Sequence, residues 1–294
     1  MTTLPDQPAV DRESAAAVVY SSESRLRDPI AFARLWVADL RASGPAARRF
    51  FKRSLTQRYR LSSFGLAWAF APSVLTAIVL IAGQRASVIG TGRGEVPPPF
   101  YGVFGLAVAQ TFLESLNALR VLFTSQQNML RRNNVAIEGL ILAAFIEVHF
   151  GVLVRLIVLV VVFFLFGVLP RFETLPLAFT GLWGVVLIGG GLGLLLAPAS
   201  SLRGDIDQVI HLLPWGLFAV TPVFVAPAAG SLLARGYALN PLAWLFDSIR
   251  TAAYGASGSL LPAVLAPLVG ALIVSIGWFF CRFCRPYVVE RYLV

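Results

Sequence analysis

Apolar residues in this chain fall into long runs, separated by short polar stretches or by glycine and proline, and the runs have helical rather than strand length. Six of them approach the roughly 20 residues that a helix needs to cross a hydrocarbon core of about 30 Å: 61–83, 101–124, 149–169, 176–199, 208–227 and 260–281. The pattern predicts an all-α, polytopic integral membrane protein with six transmembrane helices. The apolar stretch from Val135 to Leu169 exceeds one perpendicular crossing. Its first half, with Glu138 and Glu147, therefore reads as a lead-in that is tilted or cytoplasmic, and Glu147 and Arg155 could pair along one helical face. Residues 228–259 are too long for a tight loop. Within them Phe246, Ile249 and Ala253 form a short apolar face beside Asp247 and Arg250, which predicts short helices at the outer surface.

The same periodicity organises the amino-terminal part. Residues 1–27 show none and read as a disordered tail. From Asp28, residues Ile30, Phe32, Ala33, Trp36, Val37 and Leu40 share one arc at helical spacing, with Arg34 and Arg41 at its edge. After Gly44-Pro45, Phe50, Phe51 and Leu55 oppose Arg49, Lys52, Arg53 and Arg60. Residues 28–60 thus form an amphipathic basic segment suited to the membrane interface, 61–285 a transmembrane domain, and 286–294 a carboxyl-terminal tail.

Composition sharpens this reading. Hydrophobic residues make up 57% of the 294 and charged residues only 13%, with mean hydropathy +0.76; soluble chains carry about a quarter charged residues. The net charge of +9 is lopsided, with 11 of the 24 Lys and Arg in residues 1–60. That clustering fits the positive-inside rule and anionic lipid headgroups better than nucleic acid. With both termini, 125–135 and 200–207 placed in the cytoplasm, that side holds 17 Lys and Arg, against five in the opposite loops. No cleavable signal is expected, because the first 28 residues lack an apolar core. Cys281 and Cys284 form a CxxC pair at the end of the last run, with His149 and His211 far off in sequence, so it reads as helix-end packing rather than a metal site.

Candidate chemistry lies inside the runs, where each polar group is expensive and tends to face a partner or a pathway. Gln110, Glu114 and Asn117 share one face, with Arg120 nearby. They serve either as interhelical hydrogen-bonding groups or as a hydrophilic wall for a sugar chain. Trp68, Phe70, Tyr101, Phe104, Phe112, Trp183, Trp215 and Phe218 fit headgroup-level belts, and alternatively a conduit, since aromatic faces stack on sugar rings. The basic loop SQQNMLRRNNV sets topology or docks an ATPase through Arg131 and Arg132. No GxxxxGK[ST] phosphate loop, HExxH or GxSxG occurs, so ATP hydrolysis and hydrolase chemistry are not expected of this chain.

Several segments resemble the permeases of type-two ABC exporters, in the group that moves O-antigen, capsule and teichoic acid chains. QRYRLSSFGLAWAFAPSV resembles that family's opening element through Arg58, Tyr59, Arg60, Ser63, Gly65, Trp68 and Pro72. Asn128, Met129, Leu130, Arg131 and Arg132 resemble its Asn-hydrophobic-basic-basic segment, here without the usual Phe-Pro that follows. LRGDIDQVIHLLPWGLFAVTPV resembles the Arg-Asp turn and fifth span ending at Thr221, Pro222 and Val223, although Gly204 splits Arg203 from Asp205. NPLAWLFDSIR resembles the Asn-Pro element and its later Arg, here Asn240, Pro241 and Arg250.

The resemblance implies a homodimer in a bacterial inner membrane, bound to two ATPase subunits that use ATP and Mg, with no cofactor held by this chain. It implies a channel at the dimer interface for a lipid-linked polysaccharide, lined in part by Trp68, Phe70, Gln110, Glu114, Asn117 and Trp215. Arg58 and Arg60 would hold the carrier's phosphate or anchor topology, residues 128–132 would couple to the ATPase, and Asn240, Pro241, Asp247 and Arg250 would belong to an outer gate. The alternatives are an ABC permease for a small lipophilic drug or lipid, and a non-ABC carrier using Glu114, Glu147 and Arg155 as a relay.

Overall fold

Glycines are interspersed with helix-compatible aliphatic residues through Leu175–Leu202, and this sequence is built into one long central helix. A computed structural model describes residues 29–59, 65–85, 97–127, 130, 137–224, 231–256 and 258–293, and among these every regular element is helical. In chain order they are α1 (Pro29–Ala42), α2 (Gly44–Tyr59), a short 3₁₀ turn (Gly65–Ala69), α3 (Ala71–Arg85), α4 (Pro98–Arg120), α5 (Leu122–Ser125), α6 (Ile137–Phe166), α7 (Leu175–Leu202), α8 (Asp205–Val220), α9 (Leu232–Tyr237), α10 (Pro241–Tyr254) and α11 (Leu261–Leu293). Among the described residues, those up to Arg41 form one unit, and those from Ala42 onward a second with its own core.

Four helices are long and apolar enough to cross a membrane: Pro99–Arg120, Ile137–Phe166, Leu175–Leu202 and Leu261–Arg291. The first and fifth predicted spans correspond to shorter helices, α3 with 15 residues and α8 with 16. At 1.5 Å per residue these reach only about 22–24 Å. Residues 61–64 and 225–227 of those two predicted spans lie outside the described residues. Conversely, the stretch divided into lead-in and span is one unbroken 30-residue helix, α6. It ends at Gly167, whose φ of 62° suits a residue without a β-carbon.

The centre of the second unit is α7, packed between α4 and α11. Its glycines let whole backbones touch. Gly189 and Gly193, one turn apart, lie on the α4 main chain: a β-carbon at Gly189 would stand 2.7 Å from the Phe112 carbonyl oxygen, and one at Gly193 would collide with that of Leu116. On another face Gly184 and Gly191 meet α11, which answers with Gly270 and Gly277. Small residues at such spacing are what helix association in lipid favours, since apolar side chains gain nothing there by leaving lipid. Ser115 adds a buried hydrogen bond to the Val186 carbonyl, 2.6 Å.

The remaining elements fasten to this centre. Gly139 of α6 admits Ala46 and Phe50 of α2, Ser54 donates to Glu147 at 3.2 Å, and Phe51 lies against Phe150. Asn240 caps α10 by accepting from the Leu242 amide at 3.0 Å, with Pro241 in the first turn. At its other end α10 stops on Gly255, φ 87°, and its Ala252 and Ala253 carbonyls accept from the Thr174 hydroxyl and the Arg171 amide, both at 2.8 Å. Large apolar side chains lie exposed on three helices: Leu75, Ile78 and Val79 of α3, Val160, Phe164 and Leu165 of α6, and Leu268 and Leu272 of α11. Such faces need lipid or a protein partner.

Candidate functional site

The polar residues within the apolar helices gather along α4. Gln110, Glu114 and Asn117 are half-buried on one face of it. Opposite Glu114 stands Arg155 of α6, whose guanidinium pairs with the Glu114 carboxylate. Gly151, one turn before Arg155, makes the room: a β-carbon there would stand 2.6 Å from Glu114 Oε1. Arg155 does not pair with Glu147, as spacing along one helix suggested; Glu147 instead accepts from Ser54. The interhelical partner wins because it leaves the arginine charge balanced where it is buried, in the bundle interior.

Near the carboxyl end of α4, Arg120 bonds Asn117 Oδ1 at 3.3 Å and pairs with Asp207 from the first turn of α8. Near the amino end a third arginine, Arg250 of α10, donates from Nη1 to the Tyr101 hydroxyl at 2.9 Å and to Asp247 at 3.2 Å, and from Nη2 to the Val223 carbonyl at 3.1 Å. Its guanidinium carbon sits 3.8 Å from the Tyr101 ring centroid. Gly105 keeps this space open, since a β-carbon would collide with Nη2 and with the Val223 carbonyl. Asn240 joins the same knot, its amide donating to the Val220 carbonyl at 2.7 Å and to the Thr221 hydroxyl at 3.0 Å. The segments around Thr221-Pro222-Val223 and Asn240-Pro241, far apart in the chain, are thus tied to each other and to α4.

These three pairs share a polarity. The arginine side chains are 7%, 8% and 1% exposed, while their partners Asp207, Glu114 and Asp247 are 45%, 39% and 51% exposed. Each cation is enclosed by protein, and each carboxylate keeps an open edge that can still accept hydrogen bonds. Burial raises the Asp247 carboxyl above its ordinary range, and Arg250 opposes that shift. A fourth pair, the partly buried Arg282 with the buried Glu138 at 2.8 Å, clamps the start of α6 to α11.

Beside Arg155 a crevice opens between α3, α4 and α6, lined by Ser73, Thr76, Gln110 and Arg155 over apolar walls that include Ala77, Leu80 and Val103. The other predicted path residues are spread out. Trp68 is exposed in the turn before α3, Phe70 is half-buried beside it, and Trp215 is exposed on α8. Of the loop predicted to couple to an ATPase, Leu130 is buried. Asn128, Met129, Arg131, Arg132 and Arg60, and the side chain of Arg58, lie outside the described residues, as does the tail up to Asp28. Cys281 donates to the Leu194 carbonyl at 3.0 Å, and no cluster of three metal-ligating side chains occurs among the described residues. Sequence reasoning missed Ser73, Thr76 and Gly151. For Arg155 it found the residue but not the partner, although a lone cation in the apolar second half of α6 signals an interhelical anion. No protein-family model matches the chain, and comparison with curated proteins finds no significant match.

Proposed function

We propose that this chain is the permease subunit of an ATP-driven exporter, moving a polysaccharide or lipid-linked glycan across a bacterial inner membrane. The observation that carries the reading is the row of half-exposed Gln110, Glu114 and Asn117 on α4, backed by enclosed arginines, within one of the helices long and apolar enough to cross a membrane. A small lipophile would find no use for such a polar face, whereas a chain of hydroxyl groups would exchange hydrogen bonds along it. In this reading α3 and α8 complete six crossings, and both termini lie in the cytoplasm with the basic tail. The exposed apolar faces of α3 and α8, which include Leu75, Ile78, Leu212 and Trp215, meet a second copy, so that two polar rows enclose one channel. The knot of Tyr101, Asn240, Asp247 and Arg250 steadies the outer end. A separate ATPase, in two copies, supplies the energy.

The test is co-expression with an ATPase encoded by a neighbouring reading frame. A complex that hydrolyses ATP, with the isolated chain inactive, is the expected result. A chain that recruits no such ATPase from any genetic neighbour would overturn the assignment.

A further inference from the structure

We infer that the basic face of α2 is a docking surface for anionic phospholipid headgroups, which it holds by charge and not by sinking into lipid. The inference stands apart from what the chain transports and needs only that it sits in a membrane.

Helix α2, GPAARRFFKRSLTQRY, contains no Asp or Glu. Arg48, Arg49, Lys52, Arg53, Thr56 and Gln57 recur at helical spacing and are all exposed, so they form one continuous polar stripe. Among the described residues no carboxylate pairs with its four cations. Arg49, Lys52, Arg53, Thr56 and Gln57 line one shallow, open groove. Guanidinium forks, an ammonium, a hydroxyl and an amide along one groove are donors of the kind that phosphate oxygens accept from.

The opposite side of α2 is already spent. Ala46 and Phe50 close on Gly139 of α6, the Phe51 and Phe150 rings lie 6.2 Å apart, and Ser54 donates to Glu147. An amphipathic helix ordinarily binds a membrane by burying its apolar side among the headgroups. Here that side faces α6, and the exposed side has only polar and charged groups to offer. The same contacts set the level at which α2 stands. At 1.5 Å per residue the 30-residue α6 is about 45 Å long and exceeds a hydrocarbon core of about 30 Å. The excess falls in its first half, which carries Glu138 and Glu147, whereas from Gly151 onward its only charge is Arg155. Because α2 packs along that first half, from Gly139 to Phe150, it stands where α6 leaves the lipid. Headgroups meet it there, and each cation near an anionic surface favours association about fivefold.

The test uses the full chain with Cys281 and Cys284 replaced by alanine and a bimane on Gln57→Cys, in nanodiscs of phosphatidylcholine. A small, equal fraction of the lipid is replaced by phosphatidylglycerol or by phosphatidylcholine carrying a nitroxide high on its acyl chain, and quenching by the two is compared. Phosphatidylglycerol should quench about threefold more strongly or better at low salt, and no more strongly at 1 M salt, where the screening length is about 3 Å. Combining Arg48→Gln, Arg49→Gln, Lys52→Gln and Arg53→Gln should abolish the preference. If that variant aggregates, Arg49→Gln with Arg53→Gln should reduce it, and the salt dependence of the parent chain decides independently. A preference that survives 1 M salt, or one that the substituted chains keep in full, would overturn the inference. Equal quenching by both lipids in the parent chain would overturn it too, in favour of an acidic protein partner for this face.

Discussion

Replacing Arg250 with alanine attacks the knot that joins α4, α10 and the segment after α8. The side chain is 1% exposed and holds the Tyr101 hydroxyl, the Asp247 carboxylate and the Val223 carbonyl at 2.9, 3.2 and 3.1 Å. Breaking a buried ion pair costs about 3–5 kcal/mol, chiefly through the charge left behind. Here Asp247 is 51% exposed and regains water, which moves the loss toward the lower end of that range. Against this, the Val223 carbonyl loses its donor, and the stacking on Tyr101 goes with it, worth about 0.5–2 kcal/mol. The Tyr101 hydroxyl keeps a partner in the Pro222 carbonyl, at 3.3 Å. The balance is a loss of about 4 kcal/mol. Equilibrium unfolding in mixed detergent and dodecyl sulfate measures it, with Arg235→Ala on the exposed face of α9 as a control expected within about 0.5 kcal/mol of the parent. A loss of under about 1 kcal/mol for Arg250→Ala would refute the reasoning, because it would mean that these contacts do not hold the segments together.

Other consequences follow from the same geometry. Gly193→Leu drives a side chain into the α4 main chain and should cost more than the about 1–3 kcal/mol usual for overpacking, whereas Gly204→Ala, with nothing within 4 Å, should be neutral; thermal unfolding of the purified variants checks both. Arg282→Ala strands the buried Glu138 carboxylate and should cost about 3–5 kcal/mol in the same assay. Because burial holds the Asp247 carboxyl above its ordinary range, the folded chain binds that proton more tightly than the unfolded chain does. Its contribution is complete below the ordinary carboxylate value and is lost as pH rises through the raised one. Asp247→Asn should therefore flatten the stability–pH curve in that acidic window, and an unchanged slope would contradict it.

What the sequence revealed depended on whether the signal was local. Hydropathy found α4, α6, α7 and α11, the four helices long and apolar enough to cross a membrane, because a run of apolar residues is itself the physical requirement for spanning. The Asn240-Pro241 start of α10 carries a local signal too, since the cap and the first-turn proline are neighbours in the chain, but the pair was read only through a resemblance. Gln110, Glu114 and Asn117 were found by helical periodicity and do share a face. Their partners were not legible. Whether Arg155 meets Glu147 on its own helix or Glu114 on another is decided by packing, here by the space that Gly151 leaves. Likewise nothing local connects Tyr101 to Arg250, 149 residues later. The glycines of α7 looked like ordinary small residues until the helices against them were known.

The central claim, that the α4 row lines a water-filled path, is tested most directly by thiol accessibility. In a chain whose Cys281 and Cys284 are replaced by alanine, Gln110→Cys and Asn117→Cys are exposed in turn to a charged, membrane-impermeant thiol reagent in native membranes, beside Leu165→Cys on the apolar outer face of α6. Rapid labelling at 110 and 117 with none at 165 is the predicted result. Positions 110 and 117 as unreactive as 165 would contradict it.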